Sequence, residues 1–280
     1  YINYYIKYMK KFLKNYLYSK SNYKFLIKNY TFLKDLKQIS FCAKSIRHSL
    51  ILDLVEWKKK FVGNTLILAP HADDEIIGLG GTMLKSFNDR SKIHCVYFST
   101  DKERAKECKI VSRLLNFTYS DLGFKDHDFK INKKNLLLLS NEINLHKPKR
   151  IFLPFLFDDH DDHRRVSQFI MELIKKKLIN KNVEIWAYQV YSFFPTNVYV
   201  DITNEIKKKN YFLRKYKSQI KKKNFDHLST AINAYNSRFI NTPKKKYLEN
   251  FFVLPVKDYF NLCKIYFKKP KNCYYEKNYF

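Results

Sequence analysis

Acidic residues are scarce in this chain. Its 280 residues hold 26 Asp and Glu against 54 Lys and Arg, a formal net charge of +28. Glycine is rarer still, at five. The five cysteines (Cys42, Cys95, Cys108, Cys263, Cys273) form an odd set with no CxxC pair. That excludes a disulfide framework and a cysteine-built zinc site, and leads us to expect a reducing, cytoplasmic interior. No apolar run reaches the ~18 residues of a membrane-spanning helix. No secretory signal pattern is visible, although the chain opens on Tyr1 and its start carries no argument about a leader. No internal repeat is found.

What is present is core-forming material. Hydrophobic residues make up 45% and aromatics 17%, a globular and not a disordered composition. The length suits one large domain, or one domain with appendages. A charge of +28 suits nucleic acid, an anionic membrane or an acidic polysaccharide. The lysines are spread along the chain, however, and Asn, Ile, Tyr and Phe are enriched with them, as an AT-rich coding sequence would produce. Nucleic acid is therefore not the expected partner.

Residues 1–60 read as a helical, basic and aromatic extension. Tyr4, Tyr5, Tyr8, Met9, Phe12, Leu13, Tyr16 and Leu17 recur at helical spacing between lysines. Such a face packs on the main domain or a second subunit, or lies on an anionic membrane. Residues 61–240 read as the main domain. Strands are expected at Thr65–Ala69, Ile93–Phe98, Arg150–Pro154, Val183–Val190 and Asn197–Val200. Helices are expected at Ile76–Asn88, Lys102–Leu115, Leu136–Leu145 and Arg164–Ile179. The alternation predicts an α/β fold, a Rossmann-like and mostly parallel sheet flanked by helices. Residues 241–280 read as a tail packed on that domain.

The scarce acids are concentrated in two places. His71-Ala72-Asp73-Asp74-Glu75 follows the apolar run ending at Pro70, and Asp158-Asp159-His160-Asp161-Asp162-His163 follows Ile151–Pro154. Together they hold seven of the 26 acids and three of the eight histidines. Carboxylates and imidazoles leaving strand ends together can build a metal site. His71 and Asp74 can be aimed at one ion by a turn, with His163 as a third ligand. Asp73 is then free to act as a general base. His160 can donate, when protonated, to an oxyanion, and Asp162 can hold one of these imidazoles by a hydrogen bond. Taken singly, either motif is also compatible with a solvated turn or a helix cap. Gly78, Gly80 and Gly81 follow the first cluster and suit either close helix–sheet contact or substrate entry.

At these residues the chain resembles the PIG-L/LmbE-like family of metal-dependent N-deacetylases. Pro70 to Glu75 matches that family's Pro-His-x-Asp-Asp-Glu motif, and His160-Asp161-Asp162-His163 its His-x-Asp-His motif. Weaker matches are Gly80-Gly81-Thr82, Glu103-Arg104 with Glu107, Leu122-Gly123-Phe124 with Asp126, Asp201-Ile202-Thr203 and Lys217-Ser218-Gln219. The resemblance covers about residues 63–220. It implies metal ligands at His71, Asp74 and His163, a general base at Asp73 and a charge-stabilising histidine at His160. Substrate contacts fall on Arg104 and Asp126, which also suit a helix-surface ion pair with Glu103 or Glu107 and a turn residue. The chain departs from the pattern at Ala72, where a proline is usual, and at Asp158, where some relatives carry tyrosine.

The implied reaction is metal-assisted hydrolysis of an acetamide on an N-acetylglucosamine-type sugar, small or lipid-linked. Zn²⁺ is the expected ion, with Fe²⁺ as the other suitable one. An amidase acting on another small amide is the alternative enzyme. A basic glycan- or nucleic-acid-binding protein with a vestigial site is the alternative outside enzymes. A lipid-linked substrate would suit a protein held peripherally at the inner membrane face by residues 1–60.

Overall fold

The computed structural model describes residues 54–267 apart from Phe194, together with Met9. The helical extension expected over residues 1–60 lies, up to residue 53, outside the described residues apart from Met9. Eight strands form one sheet: β1 (Val55–Glu56), β2 (Thr65–His71), β3 (Ile93–Ser99), β4 (Thr118–Asp121), β5 (Arg150–Pro154), β6 (Glu184–Tyr188), β7 (Val198–Asp201) and β8 (Leu248–Pro255). Their order is β1-β7-β8-β6-β5-β2-β3-β4. All pairings are parallel except those of β8, which runs antiparallel to β6 and β7. The helices are α1 (Asp74–Ser86), α2 (Lys102–Leu115), α3 (Lys133–His146), α4 (Asp161–Lys175), α5 (Ile206–Leu213), α6 (Lys217–Ile220), α7 (Phe225–Asn236) and α8 (Val256–Tyr266). The expected α/β architecture, mostly parallel and flanked by helices, is the one observed.

The local reasons are visible in the residues. All seven residues of β2, Thr-Leu-Ile-Leu-Ala-Pro-His, are buried, as a strand covered on both faces requires. Leu66 and Leu68 point into one core with Phe98, Phe169 and Tyr259. Ile67 and Ala69 point into the other with Tyr97, Ile76 and Phe212. This is the period of two of a strand. Asp101 caps α2 by accepting from Arg104 N–H, and Asn132 caps α3 by accepting from Asn135 N–H.

The stretch expected as a tail belongs, as far as Phe267, to the sheet and core: β8 inserts between β6 and β7, and α8 packs on α4. Without β8 the sheet would lose its connection between β6 and β7. At the other end, β1 pairs with β7 at the sheet edge, so residues 55–56 join the domain and not an extension.

The glycines after the first cluster are packing positions. A Cβ on Gly78 would meet Tyr188 Cδ2 at 2.2 Å, and one on Gly81 would meet Ile202 Cγ2 at 2.6 Å. Helix α1 kinks at Leu79 (φ −144°, ψ 20°). Glu249 on β8 accepts from the N–H groups of Gly81 (2.9 Å) and Thr82 (2.6 Å) just beyond the kink. The buried Lys209 ammonium completes this arrangement, donating to Glu249 Oε1 at 2.7 Å, Ile77 O at 2.8 Å and Asn233 Oδ1 at 2.8 Å.

Candidate metal centre

The chain leaves β2, builds β3 and β4 on one side, then returns to place β5 on the other side of β2. A crevice opens where the strand order reverses, outside the carboxyl ends of β2 and β5. Both acidic clusters lie there, because each follows the end of one of these two strands. The first cluster enters α1 and the second enters α4.

Asp74 Oδ2 stands at the centre. It lies 3.4 Å from His71 Nδ1 and 3.4 Å from His163 Nε2, and accepts the His71 backbone N–H at 2.9 Å. Ligand atoms ~2.0–2.1 Å from a four-coordinate ion lie about 3.4 Å apart, so these separations fit one divalent cation. Neither ring nitrogen of the buried His163 makes an aligned hydrogen bond: Nε2 faces Asp74, and Nδ1 faces Asp158 Oδ1 at 3.0 Å. Two imidazoles and one carboxylate are a donor set that Zn²⁺ or Fe²⁺ accepts.

The electrostatics follow from this packing. Burial opposes the ionised form of Asp74, but the facing His163 outweighs it and holds Asp74 well below the usual carboxylate range. Burial likewise opposes a charge on His163, yet Asp74 and Asp158 push its pKa up to about 10. His71 is raised in the same way, burial being outweighed by Asp126, Asp162 and Asp74. In both histidines an excess of negative charge attracts a cation.

Asp73 sits beside this triad with its backbone at φ 131°, a left-handed value rare outside glycine. Its carbonyl accepts the first helical N–H bonds, from Ile76 and Ile77, while its side chain caps nothing and stays in the site. Burial, then the negative charge of Asp74, pushes its pKa up to about 8. Arg104 Nη1 lies 4.0 Å from Asp73 Oδ1. Arg104 also donates to Gln219 Oε1 and lies 4.0 Å from Asp101, not in the alternative surface pair with Glu103 or Glu107. Glu107 instead accepts from Ser218, joining α2 to α6.

His160 is the N-cap of α4: its Nδ1 accepts the Asp162 N–H at 3.2 Å. The neutral ring therefore carries its proton on Nε2. Burial, with His163 and His71 nearby, lowers its pKa to about 4. With Nδ1 taken up as the helix cap, Nε2 is the nitrogen left to donate. Asp162 lies 3.1 Å from His71 Nε2, where it can hold that imidazole of the site, and accepts the His127 N–H at 3.1 Å. Asp126 reaches the same His71 nitrogen at 3.3 Å while staying 59% exposed at the mouth.

Three neighbours were not singled out from the sequence. Asp158 faces His163 Nδ1 and also accepts the Tyr191 N–H at 3.1 Å. Tyr191 stacks on the His163 ring at 5.3 Å. Glu75 supports Asp73 from below. Asp158 and Glu75 carried a sequence signal, their places within the two clusters; Tyr191 comes from a loop with no motif. A cavity of about 500 Å³ opens beside the triad, lined by Asp159, His160, Tyr191, Lys223, Leu228 and Ile232. A larger one, about 620 Å³, lies at the opposite end of the sheet around Lys147 and Lys149. Its lining holds no carboxylate, imidazole or thiol, so we place the chemistry at the first. Among the described residues, no helix is long and apolar enough to cross a membrane.

Several proteins of known structure share this fold. The conserved protein TT1542 from Thermus thermophilus superposes with a TM-score of 0.57 at 23% identity, covering 69% of this chain and 96% of that one. An N,N'-diacetylchitobiose deacetylase from Pyrococcus horikoshii gives 0.57 at 22% identity, covering 72% and 85%. GalB, a 4-carboxy-2-hydroxymuconate hydratase from Pseudomonas putida, gives 0.56 at 14% identity, covering 69% and 96%. These likenesses establish the fold. The sequence profile described as PIG-L, GlcNAc-PI de-N-acetylase, matches residues 66–174, a span containing both acidic clusters. Residues 66–174 of this chain, which carry both acidic clusters, thus match the PIG-L family of GlcNAc-PI de-N-acetylases.

Proposed function

We propose that this protein is a metal-dependent N-deacetylase that removes the acetyl group from an N-acetylglucosamine-type sugar in a glycoconjugate or sugar-linked metabolite. The observation that carries the reading is Asp74 Oδ2, equidistant at 3.4 Å from His71 Nδ1 and His163 Nε2, with the buried Asp73 carboxyl beside it. The family match and the deacetylase named among the structural neighbours support the sugar acetamide as substrate.

In this reading His71, Asp74 and His163 hold the ion, with Zn²⁺ the first candidate. A divalent ion there polarises a carbonyl and acidifies water. Asp73 takes the proton from the attacking water, a task suited to a base whose pKa is set near neutrality. Arg104 orients the Asp73 carboxylate. His160 donates from Nε2 to the carbonyl oxygen as it becomes tetrahedral. Asp73 then returns the proton to the departing amine, so water and acetamide become acetate and a free amino sugar. Asp158 fixes the His163 ring, and Asp162 and Asp126 fix that of His71. Asp126, Tyr191 and Lys223 stand at the mouth, where the remainder of the sugar would lie.

The fold alone does not select hydrolysis, since a hydratase shares it. Acetate release from a panel of N-acetylglucosaminyl compounds decides. Activity in the metal-loaded protein, lost on chelation and in Asp73→Asn, is expected. One bound metal without cleavage of any compound would move the reading to another amide. For a lipid-linked acceptor, sedimentation with anionic vesicles tests the membrane contact expected of residues 1–60; no co-sedimentation would remove it.

A further inference from the structure

A second group of metal-ligating side chains lies far from the crevice. His94 is the second residue of β3, whereas Ser99, at the other end, pairs with His71. Five residues of strand separate the two ends, roughly 17 Å at about 3.3 Å per residue. Glu142 and His146 occupy one face of α3 at helical i,i+4 spacing and reach His94. Glu142 Oε2 lies 3.3 Å from His94 Nε2 and 3.6 Å from His146 Nε2. These separations bracket the one at Asp74 in the catalytic crevice.

The protonation pattern makes this arrangement incomplete. The Thr118 hydroxyl lies 2.7 Å from His94 Nδ1 and also reaches Ile93 O at 3.4 Å, which suits the tautomer with its proton on Nδ1. In that tautomer His94 Nε2 presents a lone pair. That lone pair receives the Ser120 hydroxyl at 3.1 Å and also faces a carboxylate oxygen. Glu142 Oε2 and His146 Nε2 are both buried atoms with no hydrogen-bond partner. Buried polar atoms left without partners are unfavourable, and a cation between this carboxylate oxygen and the ring nitrogens would satisfy them.

We propose that His94, Glu142 and His146 form a second site for a divalent cation of the zinc class, distinct from the crevice and structural in role. Two imidazoles and a carboxylate suit Zn²⁺, and Thr118 supplies the outer hydrogen bond that fixes the tautomer of His94. The two rings stack at 3.6 Å and 19°, so one must turn about its Cβ–Cγ bond for both lone pairs to converge. His146, with 26% of its side chain exposed and Nε2 unpartnered, is the ring that turns. The ion enters from solvent on that side and ties the last turn of α3 to the β3–β4 edge.

The test is Zn²⁺ stoichiometry of the full chain after equilibrium dialysis, read by atomic emission. Wild type is expected to hold two ions. His146→Ala and Glu142→Gln are each expected to hold one, with deacetylation unchanged. Asp74→Ala is expected to hold one and to gain thermal stability with added Zn²⁺, a gain lost in Asp74→Ala/His146→Ala. His146→Gln serves if the alanine variant does not fold. Equal stoichiometry in wild type, His146→Ala and Glu142→Gln would overturn the site, as would complete loss of Zn²⁺ in Asp74→Ala. Because the readout is ion count in an Asp74→Ala background, failure of the deacetylase reading leaves this result intact.

Discussion

Glu75 Oε2 accepts the backbone N–H of Asp73 at 3.0 Å, and so holds the residue whose φ of 131° turns its carboxyl into the crevice. The other Glu75 oxygen accepts the Tyr216 hydroxyl at 2.5 Å. A left-handed aspartate persists only where its surroundings enforce it. Glu75→Ala leaves two buried donors without acceptors, at a cost on the order of 1–3 kcal/mol for each. We expect a loss of that size in urea denaturation together with reduced kcat. Glu75→Gln can still engage both partners and should retain most of both. Equal loss in the two variants would show that hydrogen bonding by Glu75 is not what positions Asp73.

Asp73 acts as a base only when ionised. Its pKa is raised to about 8 by burial and then by Asp74. A bound cation favours the carboxylate and lowers that value. The rate kcat/KM is therefore expected to rise with pH to a plateau, with a midpoint below about 8 in the metal-loaded enzyme. Asp73→Asn should lower it ~10²–10⁴-fold. A flat profile between about pH 5 and pH 9 would contradict the assignment of Asp73 as the base.

Metal and protons compete for the same groups. The raised pKa values of His71 and His163 mean that their contribution to stability is complete below the unfolded histidine value and lost as pH rises through the folded one. Asp73 and Glu75, raised to about 8 and about 7 by burial first, act in the same direction. These four groups make the chelated protein less stable as pH rises from about 5 to about 9. A cation replaces the protons, so the Tm difference between Zn²⁺-loaded and chelated protein should widen over that range. Scanning calorimetry at both ends of the range reads it.

Asp158 faces the buried His163 Nδ1 at 3.0 Å. Removing the group that orients a ligating imidazole costs about 10–100-fold in metal affinity. Asp158→Ala should show a loss of that size in chelator competition, while its far-ultraviolet spectrum stays that of wild type.

The pair Lys209–Glu249 is fully buried at 2.7 Å. Lys209→Met leaves the Glu249 carboxylate uncompensated, at an expected cost of ~3–5 kcal/mol. Adding Glu249→Gln removes the charge while keeping an acceptor oxygen for one of the Gly81 and Thr82 N–H groups, and should recover part of the loss. Denaturation of the single and double variants measures the coupling.

The sequence by itself determined the alternation of strands and helices and the two clusters at strand ends. Those features are local: apolar runs, helical spacing, and a few acids set against an excess of lysine. Lys102–Leu115 and Arg150–Pro154 were legible to the residue for that reason. Tertiary structure decided which atoms meet. The place of β8 depends on pairing with β6 and β7, and nothing within residues 248–255 specifies those partners. Asp162 was expected to hold one of the site's imidazoles, and tertiary structure chose His71, because the first turn of α4 aims Asp162 across the crevice toward the end of β2. The lowered pKa of His160 follows from burial beside His163 and His71, and the meeting of His94 with Glu142 and His146 from the approach of α3 to β3. Side-chain chemistry can be read along a chain, but the distances that turn it into a site are set by packing between distant segments.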